Sequence, residues 1–335
     1  NKVALHCRKV LIDAEPKALF PEWLRFLKGV VDSSDLPLNV SREVMQDSEL
    51  LRKLNQVLTK RFLRFLNEQS KKEPENYLEF WKEFGILIKE GAATDFTYKD
   101  DLAKLLRFES TALEPGKLAG LDEYIDRMAK DQKEILFLFG KSRKSIEAGP
   151  YLEALKARSL EVLLLTEPVD EYVMQSVREY KEKKIISADS DELKLEKLDQ
   201  EPEGKSLNKK DTKSLCKWLK ETLKDKVSEV ETGDRLIDSP VCIVGGDGLG
   251  GASARRVMKM MQGGDDAMPA SPVKLQVNQR HPIIKGLSTL IEADKETAEL
   301  IANQLLDNAL ATANLLDDPR DMIARSYQAI EKLAN

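Results

Sequence analysis

Two short runs of uninterrupted apolar residues constrain this chain more than any other feature. Glu134-Ile-Leu-Phe-Leu-Phe139, ended by Gly140, and Glu161-Val-Leu-Leu-Leu-Thr166 both have strand length, and a helical stretch around Pro150-Tyr-Leu-Glu-Ala-Leu-Lys156 lies between them. A strand without alternation is apolar on both faces and needs cover on both. Strand, helix, strand at this spacing predicts parallel pairing through a right-handed crossover. Residues 170–183 read as a further helix and Ile185-Ile-Ser187 as a third strand.

Helical periodicity dominates on either side of this unit. Val3 to Ile12 is strand-like, Pro21 to Lys28 reads as a short helix, and residues 32–39 are rich in turn formers. A long helix is predicted from about Ser48 to Ser70, with Leu51, Leu54, Leu58, Phe62, Phe65 and Leu66 on one stripe. Phe80, Trp81, Phe84, Ile86 and Leu87 mark another buried helical segment ending near Gly91, and a helix over 102–107 follows. Between about 189 and 213 the chain turns polar and charged, which reads as a boundary or flexible linker. Beyond it come an amphipathic helix with Leu215, Trp218, Leu219 and Leu223, then a strand pair around 226–230 and 239–244.

The last forty residues hold the clearest helical pattern. Ala298, Ile301, Ala302, Leu305, Leu306, Ala309, Ala313 and Leu316 line one face, Asp317-Asp-Pro breaks the chain, and Met322, Ile323, Tyr327, Ile330 and Leu333 form a second stripe. Two such helices either pack on their own domain or meet a second copy in a four-helix bundle.

Composition removes several chemistries. The chain has 335 residues, three cysteines and two histidines, and no two cysteines share a CxxC spacing. A disulfide framework, a zinc site and a histidine-based triad are therefore not expected. The net charge of -5 gives no footprint for duplex nucleic acid. No apolar run approaches the roughly 18 residues of a membrane span.

Three local features carry possible chemistry. Gly246-Asp-Gly-Leu-Gly-Gly251 matches a dinucleotide fingerprint, with Gly246, Gly248 and Gly251 as its glycines, but no βα alternation follows and a flexible glycine loop is the better reading. Met258, Met260, Met261 and Met268 cluster beside glycines and a proline, and such methionines either fill a core or grip varied apolar partners. Arg42, between the turn-rich loop and the long helix, is either a solvated helix-start arginine or a fixed charge able to reach a phosphate on another domain.

The run Trp23-Leu-Arg-Phe-Leu-Lys-Gly-Val-Val-Asp-Ser-Ser-Asp-Leu-Pro-Leu-Asn-Val-Ser-Arg-Glu43 closely resembles the middle-domain signature of the heat-shock protein 90 chaperone family. Phe80-Trp-Lys-Glu-Phe-Gly85, Leu102-Ala-Lys-Leu-Leu-Arg-Phe-Glu-Ser-Thr111 and Glu161 to Tyr172 follow in the family's order. The resemblance spans nearly the whole chain and weakens over 189–213 and the glycine loop. It implies an ATP-driven, dimeric chaperone that binds and folds unfolded proteins under stress. ATP and magnesium would be bound mainly by an N-terminal domain that is missing here, so the piece alone is expected to be inactive and to hold no cofactor or metal.

The fold expected is α/β and α+β multidomain. Residues 1–110 would be the large part of the middle domain, 111–190 its small αβα part, 191–213 the charged boundary, and 214–335 a dimerisation domain ending in a four-helix bundle. By the resemblance, Arg42 and Gln46 are catalytic, and Arg42 with Asn39 meets the ATP γ-phosphate region. Trp218, Met258, Met261 and Met268 bind clients, while Ile301, Leu305, Leu306, Ala309, Tyr327 and Ile330 form the dimer interface. The expected partners are a second copy, client proteins and the chain's own N-terminal domain, with no nucleic acid or membrane. The close at Glu331-Lys-Leu-Ala-Asn335 lacks an acidic Met-Glu-Glu-Val-Asp tail, so tetratricopeptide-repeat partners are not expected. His6 to Ile12 and Asp317 to Met322 look most like the mitochondrial branch, implying the matrix, with the bacterial branch close and a bacterial or eukaryotic cytoplasm as the alternative. A dinucleotide enzyme and a non-catalytic dimeric scaffold are the competing readings.

Overall fold

A computed structural model describes residues 2–34, 49–195, 204–245, 272–316 and 318–334. They form an α/β multidomain arrangement of helices and three small mixed sheets. One unit comprises Asn1–Phe108, Leu118–Arg127 and Tyr172–Glu182; the other comprises Glu109–Lys117, Met128–Glu171 and Lys183–Asn335.

In the first unit, residues 3–12 are two strands rather than one. β1 (Lys2–Cys7) and β2 (Val10–Asp13) pair antiparallel. Arg8 and Lys9 between them have φ of 48° and 68°, which reverses the chain within two residues. The helix expected at 21–28 is only a 3-10 turn, Glu22–Leu24, leading into β3 (Lys28–Asp32), which runs parallel to β1.

α1 (Glu49–Lys72) buries Leu51, Leu63 and Leu66, while Leu54, Leu58 and Phe62 are half-buried and Phe65 is exposed. The inward face is thus rotated from the predicted stripe. α2 (Pro74–Thr94) starts with proline at its first turn, where the missing N–H costs nothing. It buries Tyr77, Trp81, Gly85, Ile88 and Ala92 at helical spacing; Phe80 and Phe84 stay half-buried and Ile86 is exposed. Trp23 fills the space over Gly91 and donates its Nε1 hydrogen to Asp95 Oδ2 at 3.0 Å. After α3 (Lys99–Ala103), Tyr77 donates to the Leu105 carbonyl at 2.6 Å with the Arg107 guanidinium 4.8 Å above its ring. α4 (Leu121–Arg127) belongs to the same unit.

The second unit contains the predicted crossover. β5 (Glu134–Phe139) runs parallel to both β6 (Leu163–Leu165) and β7 (Lys183–Ser187), and β4 (Glu109–Ser110) pairs antiparallel with β6. α5 (Arg143–Glu147) and α6 (Glu153–Lys156) lie on the connection. α5 is capped by Ser142, whose side chain accepts from the Ser145 N–H, and Ser145 reciprocates.

α7 (Lys209–Leu223) starts inside the stretch that reads as linker, because Asn208 caps it by accepting from the Asp211 N–H at 2.9 Å. β8 (Val227–Thr232) and β9 (Val241–Val244) do not pair with each other as expected. β10 (Val273–Val277) lies between them, antiparallel to β9 and parallel to β8. α8 (Pro282–Ala293), α9 (Lys295–Thr312) and α10 (Arg320–Ala334) follow. The first of these lies where no helix was expected.

Polar contacts join the β5–β7 layer to the β8–β10 sheet within this unit. Tyr151 donates to the Ile243 carbonyl at 2.8 Å. Glu153 Oε2 accepts from the N–H groups of Ile237, Asp238 and Ser239 at 2.8, 2.8 and 3.1 Å. Arg235 donates to the carbonyls of Ala188, Ser190 and Leu193. A carboxylate serving three backbone donors and a guanidinium serving three acceptors are charge-assisted contacts, stronger than neutral ones.

Candidate functional site

The last two helices form the site that the described residues define best. Asp294 caps α9, accepting from the Thr297 N–H at 3.1 Å, and the Thr297 hydroxyl bond holds its carboxyl below the usual range. Along α9, Ala298, Ala302, Leu305, Leu306, Ala309 and the following Ala313 are buried. They pack with Leu215, Leu219 and Leu223 of α7 and with the sheet strands. Leu305, Leu306 and Ala309, expected at an interface between copies, are therefore enclosed by their own core. Ile301 is half-buried against the same core. Trp218 is likewise half-buried on α7, packed against that core.

α10 differs in having no buried residue. Met322, Arg325, Ser326 and Ala329 are half-buried at helical spacing. From this face Arg325 Nε donates to Asp307 Oδ2 at 2.7 Å, and Nη2 donates to the same oxygen. Lys332 reaches back to Thr297 Oγ1 at 2.8 Å and to Glu296 at 3.3 Å. Beside it, Ile323, Tyr327, Ile330 and Leu333 are 44, 63, 56 and 88 % exposed. Steps of four, three and three residues put these side chains in one seam along the helix. No described residue covers it. Tyr327 and Ile330 are thus accessible, while Ile323 and Leu333 extend the seam and were visible in the same periodicity.

Burial pushes the Cys242 thiol up to about 12 and raises that of Cys216, so both stay protonated near neutrality. No group of metal-ligating side chains occurs among the described residues. Asn39, Arg42 and Gln46 of the predicted phosphate-reaching loop lie outside the described residues. So do Met258, Met261 and Met268, and Gly246, Gly248 and Gly251.

The family model described as Hsp90 protein matches residues 1–335. The chain belongs to the Hsp90 family. It is 45% identical over 331 residues to the chaperone protein HtpG of Desulfitobacterium hafniense, covering 98% of this chain and 53% of that protein. HtpG of Desulfotalea psychrophila is 41% identical over 335 residues, 98% of this chain and 54% of the relative. The mitochondrial heat shock protein 75 kDa of Bos taurus is 39% identical over 343 residues, 99% of this chain and 48% of the relative. The chain thus spans about half the length of the curated relatives it matches. Bacterial and mitochondrial relatives are similarly near, so the lean toward the mitochondrial branch gains nothing over the bacterial one. Family membership also removes the motive for reading the glycine run as a dinucleotide site.

Proposed function

We propose that this Hsp90-family chain is the client-handling and dimer-forming part of an ATP-dependent molecular chaperone. The observation that carries the reading is the uncovered seam Ile323, Tyr327, Ile330 and Leu333 on a helix anchored by Arg325. Two copies burying this seam against each other form a bundle of final helix pairs, and the joined ends hold two arms at high effective concentration. Of the residues expected at the interface, Tyr327 and Ile330 serve this contact directly. Ile301, Leu305, Leu306 and Ala309 support it from the core beneath.

ATP with magnesium supplies the conformational drive, bound mainly by an N-terminal domain that the family's chaperones carry. Arg42 places a fixed charge on the transferring phosphate when that domain closes, with Asn39 and Gln46 beside it. Client segments meet Trp218 together with Met258, Met261 and Met268, because a half-exposed indole and flexible thioethers accept varied apolar sequences. The chain by itself turns over no ATP. The bacterial cytoplasm and the mitochondrial matrix fit the relatives equally well.

The deciding measurement is the solution mass of this chain by light scattering, alone and with Tyr327→Asp and Ile330→Asp combined. A dimer that becomes a folded monomer supports the reading. A parent chain that is already monomeric at micromolar concentration overturns the dimer, and nucleotide turnover by the purified chain overturns the division of labour.

A further inference from the structure

α7 carries its lysines on one side. At about 100° per residue, Lys209, Lys210, Lys213, Lys217 and Lys220 fall within a sector of about 100° that holds no other residue of the helix. All of them are exposed, whereas Leu215, Leu219 and Leu223 on the inward side are buried. This concentration of positive charge stands in a chain whose net charge is -5. Lys285 of α8 donates to the Lys205 carbonyl at 3.3 Å, which brings a further ammonium to the segment leading into α7.

Nothing in the fold calls for such a row. Lys213 follows Lys209 by four residues and Lys210 by three, Lys217 follows Lys213 by four, and Lys220 follows Lys217 by three. Like charges at these spacings repel and weaken a helix. Lys209 and Lys210 also occupy the first turn, where the helix dipole favours acidic side chains. Little offsets this. Lys217 meets Glu221 only at 3.7 Å with both side chains exposed, and Asp211 is engaged at the cap, where Asn208 Nδ2 donates to its Oδ2 at 2.7 Å. The side chains of Lys209, Lys210, Lys213 and Lys220 have no ion pair or hydrogen bond with any described residue. A row of charge that opposes the helix carrying it marks a surface kept for binding rather than for stability.

The side chains also decide what the row can hold. Lysine offers a point charge suited to single carboxylates. The sector has no arginine to grip phosphate with two bonds, no aromatic ring on which a base could stack, and no apolar residue to enter a membrane. Trp218 lies outside it, packed against the core. From Lys209 to Lys220 the row runs about 16 Å, the length of about five extended residues. Carboxylates at alternate positions of an extended chain recur every 6.6 Å or so, close to the roughly 6 Å of a four-residue helical step.

We propose that this face of α7 is a docking surface for an acidic, extended segment of a polypeptide partner, with carboxylates at alternate positions. It rests on neither the dimer nor the client contacts proposed above.

The test is fluorescence anisotropy at low salt with a labelled peptide of alternating Glu and Ser, and with its Gln-Ser counterpart. The expected result is saturable binding of the acidic peptide alone, lost as sodium chloride is raised. Lys209→Glu, Lys213→Glu and Lys217→Glu combined should weaken it about ten-fold, as for the loss of several exposed ion pairs. The same reversals at the exposed Lys60, Lys141 and Lys156 should leave it within about two-fold, since charges beyond a Debye length are screened. Lys213→Gln should weaken peptide binding while raising the thermal midpoint of the free chain, because it relieves repulsion with Lys209, Lys210 and Lys217. A lysine serving only the fold would lower that midpoint. Thermal melts confirm that each variant is folded. No saturable binding, equal losses in the two combined variants, or a lower midpoint for Lys213→Gln would each overturn the surface. Tighter binding of a labelled oligothymidylate, or of phosphatidylserine vesicles, would assign the face to nucleic acid or membrane and overturn the polypeptide partner.

Discussion

Arg325 on the last helix and Asp307 on the helix before it form an ion pair in which Nε donates to Oδ2 at 2.7 Å, with the aspartate only 4% exposed. The pair orients α10 on α9 where apolar contact is slight, and so sets which side of the last helix faces outward. Replacing Arg325 with Met leaves a buried carboxylate without its cation. Breaking a pair of this kind costs about 3 kcal/mol. Hydrogen exchange should show amides of 320–334 opening without the rest of the unit, and unchanged protection there would refute the anchoring role.

The two stripes of the closing helices should respond in opposite ways. Leu305→Ala removes side-chain volume from a filled core and should lower stability by about 2–5 kcal/mol, read as a fall in denaturant midpoint. Ile330→Ala should leave the isolated fold within about 0.5 kcal/mol while raising the dissociation constant of the proposed dimer. If Ile330→Ala destabilises the monomer as much as Leu305→Ala does, the seam is packed rather than open.

Gly91→Ala tests whether helix propensity or packing wins inside α2. Alanine gains about 1 kcal/mol of propensity over glycine, yet its Cβ would sit 2.8 Å from the Trp23 ring. Overpacking against a rigid indole costs about 1–3 kcal/mol, so the net change should be destabilising and accompanied by altered tryptophan fluorescence. A more stable variant with unchanged emission would contradict this.

His281 gives the second unit a pH dependence. Its Nδ1 accepts from the Ile283 N–H at 3.1 Å and caps α8, which requires the neutral ring. Desolvation lowers its pKa, outweighing Glu153 and Asp238, which favour the cation. The unfolded chain therefore binds the proton more readily. This contribution is full above the ordinary histidine value of about 6.5 and is lost as pH falls below it. The stability of the native chain relative to His281→Asn, whose cap does not titrate, should decline from pH 7.5 to 5.5 on the scale of one cap, about 1 kcal/mol. A flat difference would remove His281 from the account.

Much of the secondary structure was legible because it rests on local chemistry. The apolar runs at 134–139 and 161–166 predicted parallel strands, and β5 and β6 pair in that way. Periodicity located α1, α2, α9 and α10 within a few residues. Two other features depended on signals too short to stand out: the hairpin turn at Arg8 and Lys9, and the Asn208 cap that begins a helix in a charged stretch. Tyr327 and Ile330 were legible as apolar residues of one helical stripe, but their exposure was not.

What the sequence by itself determined is which segments are helical or extended, which faces are apolar, and, through its ordered motifs, membership of the Hsp90 family. A run of side chains carries that information because helix and strand periods are local. Tertiary structure alone decided what covers each face. Leu306 and Ile330 are both apolar residues on amphipathic helices, yet one is sealed in the core and the other left at the surface. Likewise β10 pairs between β8 and β9 although it comes last in the chain. Pattern records that a surface must leave water; the partner that removes it is chosen by long-range packing, which no local window contains.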